Sequence, residues 1–342
     1  MTDNEDILKY LKENESNLED WQIRTLKMIS MGLSNRAIAT EIFGDTYFEF
    51  RIRAFLKKVN NGAPVVTKFK DNTENVESIL QKDDVNILYF DIETSPCISY
   101  HFNHWDVSIR QEHKIKESHL LTVSWAFNDE PVRGFKLSAS DIEKGDDLTL
   151  VVDMMEAIEK ADILVGYNSK KFDIKYLNTR ALFYGMPPVT TTKHIDLYEQ
   201  VRKSFKFPSN SMGNVSNYLG LEGKLETEGW SLWRRCMEHW NVEECEKALE
   251  DMLTYNKQDI EATRDLHRRL MGWLKQTPNI GAIKNIKSGV KTMRCSKCSS
   301  DDIVALDKLT FTNVKGWEMY RCNTCGGVSR YSNNGLVGCP VS

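Results

Sequence analysis

The chain has 342 residues, 41% of them hydrophobic and 27% charged, with a formal net charge of −4. That length allows two or three domains with at least one sizeable core, and no run approaches the roughly 18 apolar residues of a membrane helix. The polar, acidic opening MTDNEDILKYLKENE lacks the pattern of a signal peptide, so the expected compartment is the cytoplasm, with no membrane partner.

Residues 1–59 form the first segment. Apolar residues recur at helical spacing through Ile23, Leu26 and Ile29, and Gly32 ends that helix. Ser34 or Asn35 caps a second helix carrying Ile38, Ala39 and Ile42. Gly44 breaks the chain again, and residues 48–59 read as a third helix with Arg51, Arg53, Lys57 and Lys58. The stretch GLSNRAIATEIFG resembles the core of helix-turn-helix domains in resolvases and phage packaging proteins, which implies DNA binding. Glu41, Asp45 and Glu49 sit among the cations, and a three-helix bundle with no DNA role has the same pattern. Residues 60–84 are polar, with Gly and Pro, and read as a linker.

The second segment covers residues 85–277. VNILYFDIE, LLTVSWAF and VRGFKL are strands, followed by a helix at 148–160, the strand ILVGY, a helix at 173–184, a further strand at HIDLY and a long helix from Val242. Antiparallel strands followed by alternating helices and strands predict an α/β fold, a mixed sheet with helices on both faces.

Two acids, Asp91 and Glu93, close the first strand. Side chains at i and i+2 of a strand point the same way, so both carboxylates aim at one spot. Like charges this close repel, and burial makes that worse. A divalent cation removes both problems, and hard oxygen donors suit Mg²⁺ or Mn²⁺. Two solvated acids at a strand end would read the same way. Asp173 opens a helix after an apolar strand and also fits an N-cap. Tyr255 and Asp259 lie four apart on the long helix and share a face, and Tyr255 also fits a core tyrosine.

FDIET, GYNSKKFD and YNKQD, in that order, resemble the three motifs of the DEDD exonucleases in their tyrosine variety. GYNSKKFDIKYLNTRA is similar to the proofreading domain of family B DNA polymerases, including the spacing from Asn168 to Phe172. The resemblance covers residues 85–275. It implies a ribonuclease H-like fold and 3′-to-5′ removal of nucleotides. It also implies two Mg²⁺ or Mn²⁺ ions held by Asp91, Glu93, Asp173 and Asp259, with Tyr255 orienting the attacking water. Substrate contacts would come from Asn168, Lys170, Lys171 and Phe172. The lysines are equally suited to solvent, and packing behind the site is the commoner fate for Phe172. His101, His104 and His113 have no ligand spacing. Trp230, Trp233, Met237 and Trp240 make a helical stripe that reads as packing rather than a base-stacking platform.

Nine Lys and Arg lie between Arg264 and Lys297 against Asp265 alone. Such a block suggests a polyanion contact, or else a solvated helix face with residues 278–289 as a basic linker. In residues 290–342, the pairs Cys295/Cys298 and Cys322/Cys325 resemble a zinc ribbon, with two turns offering four thiolates to one structural Zn²⁺. A redox role is the alternative. Cys97, Cys236, Cys245 and Cys339 read as ordinary thiols. Lys291, Arg294, Lys297, Lys308 and Arg321 suggest nucleic-acid contact, and docking to a partner such as a replication protein is the alternative.

The expectation is a free-standing DNA 3′–5′ exonuclease, with too few residues after it for a polymerase palm. Its build resembles bacteriophage proteins of DNA replication, repair or turnover, which would place it in the host cytoplasm. An RNase of the same fold, and a DNA-binding regulator or scaffold with an idle nuclease fold, remain open.

Overall fold

The computed structural model describes residues 4–44, 46–60, 85–102, 105, 108–189, 193–221, 228–311, 316–331 and 340–341. Most of the expected linker (61–84), Asp45, His104 and Cys339 lie outside them.

Four helices come first: α1 (Asn4–Asn14), α2 (Asp20–Ser30), α3 (Asn35–Phe43) and α4 (Glu49–Asn60). The turns fall where the sequence puts them. Ser34 caps α3 by accepting from the Ala37 N–H, and Gly44 ends it with a left-handed φ of 79°. The first helix was not expected in so polar a stretch. Ile7 and Leu11, one turn apart, bury one face of it against Leu18, Leu26, Phe55 and Val59. Two such residues suffice when a neighbouring core receives them.

A five-stranded sheet follows, in the order β5 (Arg133–Lys136), β4 (Leu120–Phe127), β1 (Ile87–Thr94), β6 (Ile163–Gly166), β7 (Lys193–Asp196). The β5–β4–β1 half is antiparallel and the β1–β6–β7 half is parallel. A short pair, β2 (Ile98–Ser99) and β3 (Lys114–Lys116), lies between β1 and β4 in the chain. Helices α5 (Ala139–Lys144), α6 (Leu148–Glu159), α7 (Asp173–Phe183), α8 (Leu197–Ser204), α9 (Met212–Tyr218), α10 (Trp230–Met237) and α11 (Val242–Leu270) complete the domain. The fold is mixed α/β, as expected.

Alternation along β1 divides the core. Leu88, Phe90 and Ile92 pack with α6, and Tyr89 packs with β6, β7 and α8. α11 serves both sides, giving Cys245 to Tyr255 to the first cluster and Ile260 to Leu270 to the second. The region 278–289, expected as a linker, contains helix α12 (Ile280–Ser288), with Ile280 and Asn285 buried. A small antiparallel sheet ends the chain: β8 (Ile303–Phe311), β9 (Gly316–Cys322), β10 (Val328–Tyr331) and β11 (Pro340–Val341). Among the described residues no helix is long and apolar enough to cross a membrane.

Candidate active site

β1, β6 and β7 run parallel, so their carboxyl ends lie along one edge of the sheet, where ligands bind in open α/β folds. Asp91 and Glu93 stand at that end of β1. α11 packs across β4 and β1 and lowers Asp259 onto the same spot. Carboxylate oxygens of Asp91, Glu93 and Asp259 lie within 4.8 Å of one another. Asp259 is 2% exposed. Three hard oxygen donors at this spacing match the ligand chemistry of Mg²⁺ or Mn²⁺ and repel one another without it.

Asp173 does not join that group. It is the first residue of α7 and 3% exposed. Its Oδ1 accepts from the Ile92 N–H at 3.2 Å, beyond the last β1–β6 pair, Tyr89 with Val165. Burial pushes its carboxyl up to about 7 and the Asp196 charge adds to this, against the pull of its own N–H and that of Ile92. Tyr255 is buried one turn before Asp259, with its ring edge-on to Trp233 at 6.3 Å.

Two residues were missed from sequence. Asn256 is fully buried and its Nδ2 donates to Asp91 Oδ2 at 2.6 Å. Asp196, at the end of β7, accepts from the backbone N–H groups of Asn168, Lys170, Tyr198 and Glu199. It therefore caps α8 and pins the loop of the second motif, where Asn168 holds a left-handed φ of 61°. Their signals were an Asn inside the third motif and an Asp immediately before a helix.

A family model described as the RNase H superfamily matches residues 88–271, more than half of the chain. The chain belongs to the RNase H superfamily. A DNA polymerase of Archaeoglobus fulgidus is 26% identical over 147 residues, which cover 37% of this chain and 18% of that one. The chain thus spans under a fifth of that curated relative. The family B DNA polymerase of the archaeon Pyrobaculum calidifontis aligns in structure with a TM-score of 0.41 and 18% identity, covering 60% of this chain and 27% of that one. The matched RNase H region runs from β1 to the end of α11 and contains all four carboxylates of the three motifs.

Around the RNase H site, the expected substrate contacts fare unequally. Lys170 is paired with Glu199 at 2.9 Å, whereas Lys171 is exposed. Phe172 is 45% exposed, its ring 5.9 Å from that of Tyr176, so it does not pack behind the site. In the tryptophan stripe, Met237 is buried and Trp233 packs on Tyr255, while Trp230 and Trp240 are 68% and 73% exposed. Packing accounts for half of the stripe.

The basic block is largely consumed inside the molecule. Arg264 donates to the Glu130 carbonyl, Arg268 pairs with Asp129, Lys287 with Asp162, and Arg294 donates to Asn285 Oδ1. Lys297 is buried and donates to the carbonyls of Gly272 and Leu274, just past α11, so it does not face a polyanion. Three of the four cations of α4 are likewise turned inward: Arg51 pairs with Glu156, Lys57 with Asp141 and Asp146, and Lys58 with Asp153, while Arg53 is exposed. Phe50 and Ala54 of α4 belong to the sheet's own core.

The four thiols of Cys295, Cys298, Cys322 and Cys325 lie within 4.8 Å of one another, with Cys295–Cys325 at 3.7 Å and Cys298–Cys322 at 3.5 Å. A tetrahedron with Zn–S bonds of about 2.3 Å has edges of about 3.8 Å, so the donor set fits zinc. A Cβ on Gly272 would meet the Cys325 carbonyl oxygen at 2.2 Å, so this sheet's cysteine turn presses against the end of α11.

Proposed function

We propose that the chain is a metal-dependent nuclease that removes nucleotides from DNA 3′ ends, in the 3′-to-5′ direction. The observation that carries this reading is the convergence of Asp91, Glu93 and Asp259 at the carboxyl end of the central strand. Asp91, Glu93 and Asp259, with Asp173 beside them, would hold two Mg²⁺ or Mn²⁺ ions. Such ions activate water as a nucleophile and neutralise charge on the phosphate and the leaving 3′-oxygen. The carboxylates serve as ligands and need no acid–base role. Tyr255 presents its hydroxyl from the face of α11 that carries Asp259 and hydrogen-bonds the attacking water. Lys171 meets a backbone phosphate, the half-exposed ring of Phe172 stacks on a base near the 3′ end, and Asn168 hydrogen-bonds close by. The four cysteines hold one structural Zn²⁺. The setting that fits this build is the replication, repair or turnover of phage DNA.

The deciding experiment supplies 5′-labelled single-stranded DNA, primer–template DNA and matched RNA to the purified protein with Mg²⁺ or Mn²⁺. The DNA should shorten from its 3′ end in a ladder, and Asp91→Ala, folded by circular dichroism, should be inactive. Undegraded DNA and RNA, or an active Asp91→Ala protein, would overturn the proposal; degradation of RNA alone would move the substrate to RNA.

A further inference from the structure

Asp91 is held by a relay that reaches into the sheet. Asn256 Nδ2 donates to Asp91 Oδ2 at 2.6 Å, and Thr122 Oγ1 donates to Asn256 Oδ1 at 3.2 Å. Asn256 and Thr122 are both fully buried. Thr122 sits on β4, directly opposite Glu93 in the β1–β4 register. The relay therefore links the two acids of the first motif to the helix that supplies Asp259.

We infer that Thr122 and Asn256 are positioning residues that set the Asp91 carboxylate for a divalent cation. The inference rests on the metal-dependent reading above. An ionised carboxylate only accepts, so it needs the nitrogen end of the amide. The oxygen end then points into the sheet and needs a donor, which the threonine hydroxyl provides. With Asn256 holding Oδ2, the Asp91 carboxylate is restrained in rotation. A neutral amide does this without competing for the site, whereas a lysine or arginine there would cancel the charge a cation needs. Neither buried polar group is expected at its place otherwise. Asparagine is a poor residue for a helix interior, and a buried polar pair costs stability unless both partners are satisfied. Every residue of β4 is buried, and an apolar side chain would fill the position of Thr122 more cheaply.

The test is Mn²⁺ binding to the full, zinc-loaded chain without nucleic acid, measured by titration calorimetry. The parent should show binding that Asp91→Ala abolishes. Asn256→Ala should weaken it about 10- to 100-fold, the usual effect of removing a partner behind a metal ligand. Thr122→Val, which keeps the shape and loses the hydroxyl, should weaken it several-fold, and Thr122→Ser should restore it to within about twofold of the parent. In cleavage assays the Mn²⁺ concentration for half-maximal rate should rise in Thr122→Val, while the rate at saturating Mn²⁺ recovers. If Asn256→Ala fails to fold, the Thr122 pair decides. Unchanged Mn²⁺ affinity in Thr122→Val, or a Thr122→Ser protein as weak as Thr122→Val, overturns the relay while leaving the metal reading intact. A parent with no Asp91-dependent Mn²⁺ binding overturns that reading and the relay with it.

Discussion

Tyr255 puts a polar group where packing alone would be satisfied by a phenyl ring. Its ring meets Trp233 edge-on and lies in the first core cluster, and these contacts survive in Tyr255→Phe. The hydroxyl belongs to no carboxylate ligand set, so its removal should leave metal affinity and DNA binding nearly unchanged. A positioned hydrogen-bonding group near the reacting water contributes about 10²–10⁴-fold, and the lower end applies to a group that only aims it. Tyr255→Phe should therefore slow single-turnover cleavage at saturating Mg²⁺ about ten- to several-hundred-fold. A rate within about twofold of the parent would assign Tyr255 to packing.

At the scale of elements, α4 is where pattern and structure part. In a helix-turn-helix the second helix of the motif enters the major groove, and in the expected pattern that helix is α4. Here Arg51, Lys57 and Lys58 meet acids of α5, α6 and the turn between them, and Phe50 and Ala54 are buried in the RNase H core. The side chains of Lys58 and Asp153 are 24% and 14% exposed. Burial already raises the Asp153 carboxyl above its usual range against the pull of Lys58, so losing Lys58 leaves a buried acid that protonates, at a cost of roughly 1–3 kcal/mol. Urea denaturation should show Lys58→Ala destabilised by about that amount, with Asp153→Asn in the same chain restoring part of it. Equal stability of Lys58→Ala and the parent would mean that α4 does not dock through this pair.

The whole molecule is joined at its C-terminal end as well. The cysteine turns lie against the residues just past α11 through Lys297, and the Ile280 N–H of α12 donates to the Ser296 carbonyl at 2.8 Å. The sequence sets the cysteine-bearing segment behind a linker at 278–289; these contacts couple it to the nuclease core. Freshly purified protein should contain about one zinc per chain, and Cys295→Ser should lose it. The RNase H core should stay folded, since the small sheet shares no strand with it. Its melting temperature should nevertheless fall by a few degrees, as expected for a loss of about 1–2 kcal/mol in a domain of this size. Absence of zinc by elemental analysis would sink the metal assignment, and an unchanged melt would sink the coupling.

Local rules made much of the site legible. The period of two placed Asp91 and Glu93 on one face of β1, the period of 3.6 paired Tyr255 with Asp259, and the spacing of the cysteines marked their turns, because each depends on residues a few positions apart. Strand and helix types followed from the same periodicities, and so did the mixed sheet. The meeting of Asp259 with Asp91 and the bond of Asn256 to a carboxylate 165 residues away were fixed only by the packing of α11 across β4 and β1. So was the place of Asp173, which the bond from the Ile92 N–H holds beside the first motif. Charge was the least legible property. A basic window counts only its own acids, whereas Arg268, Lys287, Arg51 and Lys58 pair with Asp129, Asp162, Glu156 and Asp153, which the fold brings from distant parts of the chain. An ion pair forms between groups a few ångströms apart in space, and separation along the sequence does not enter.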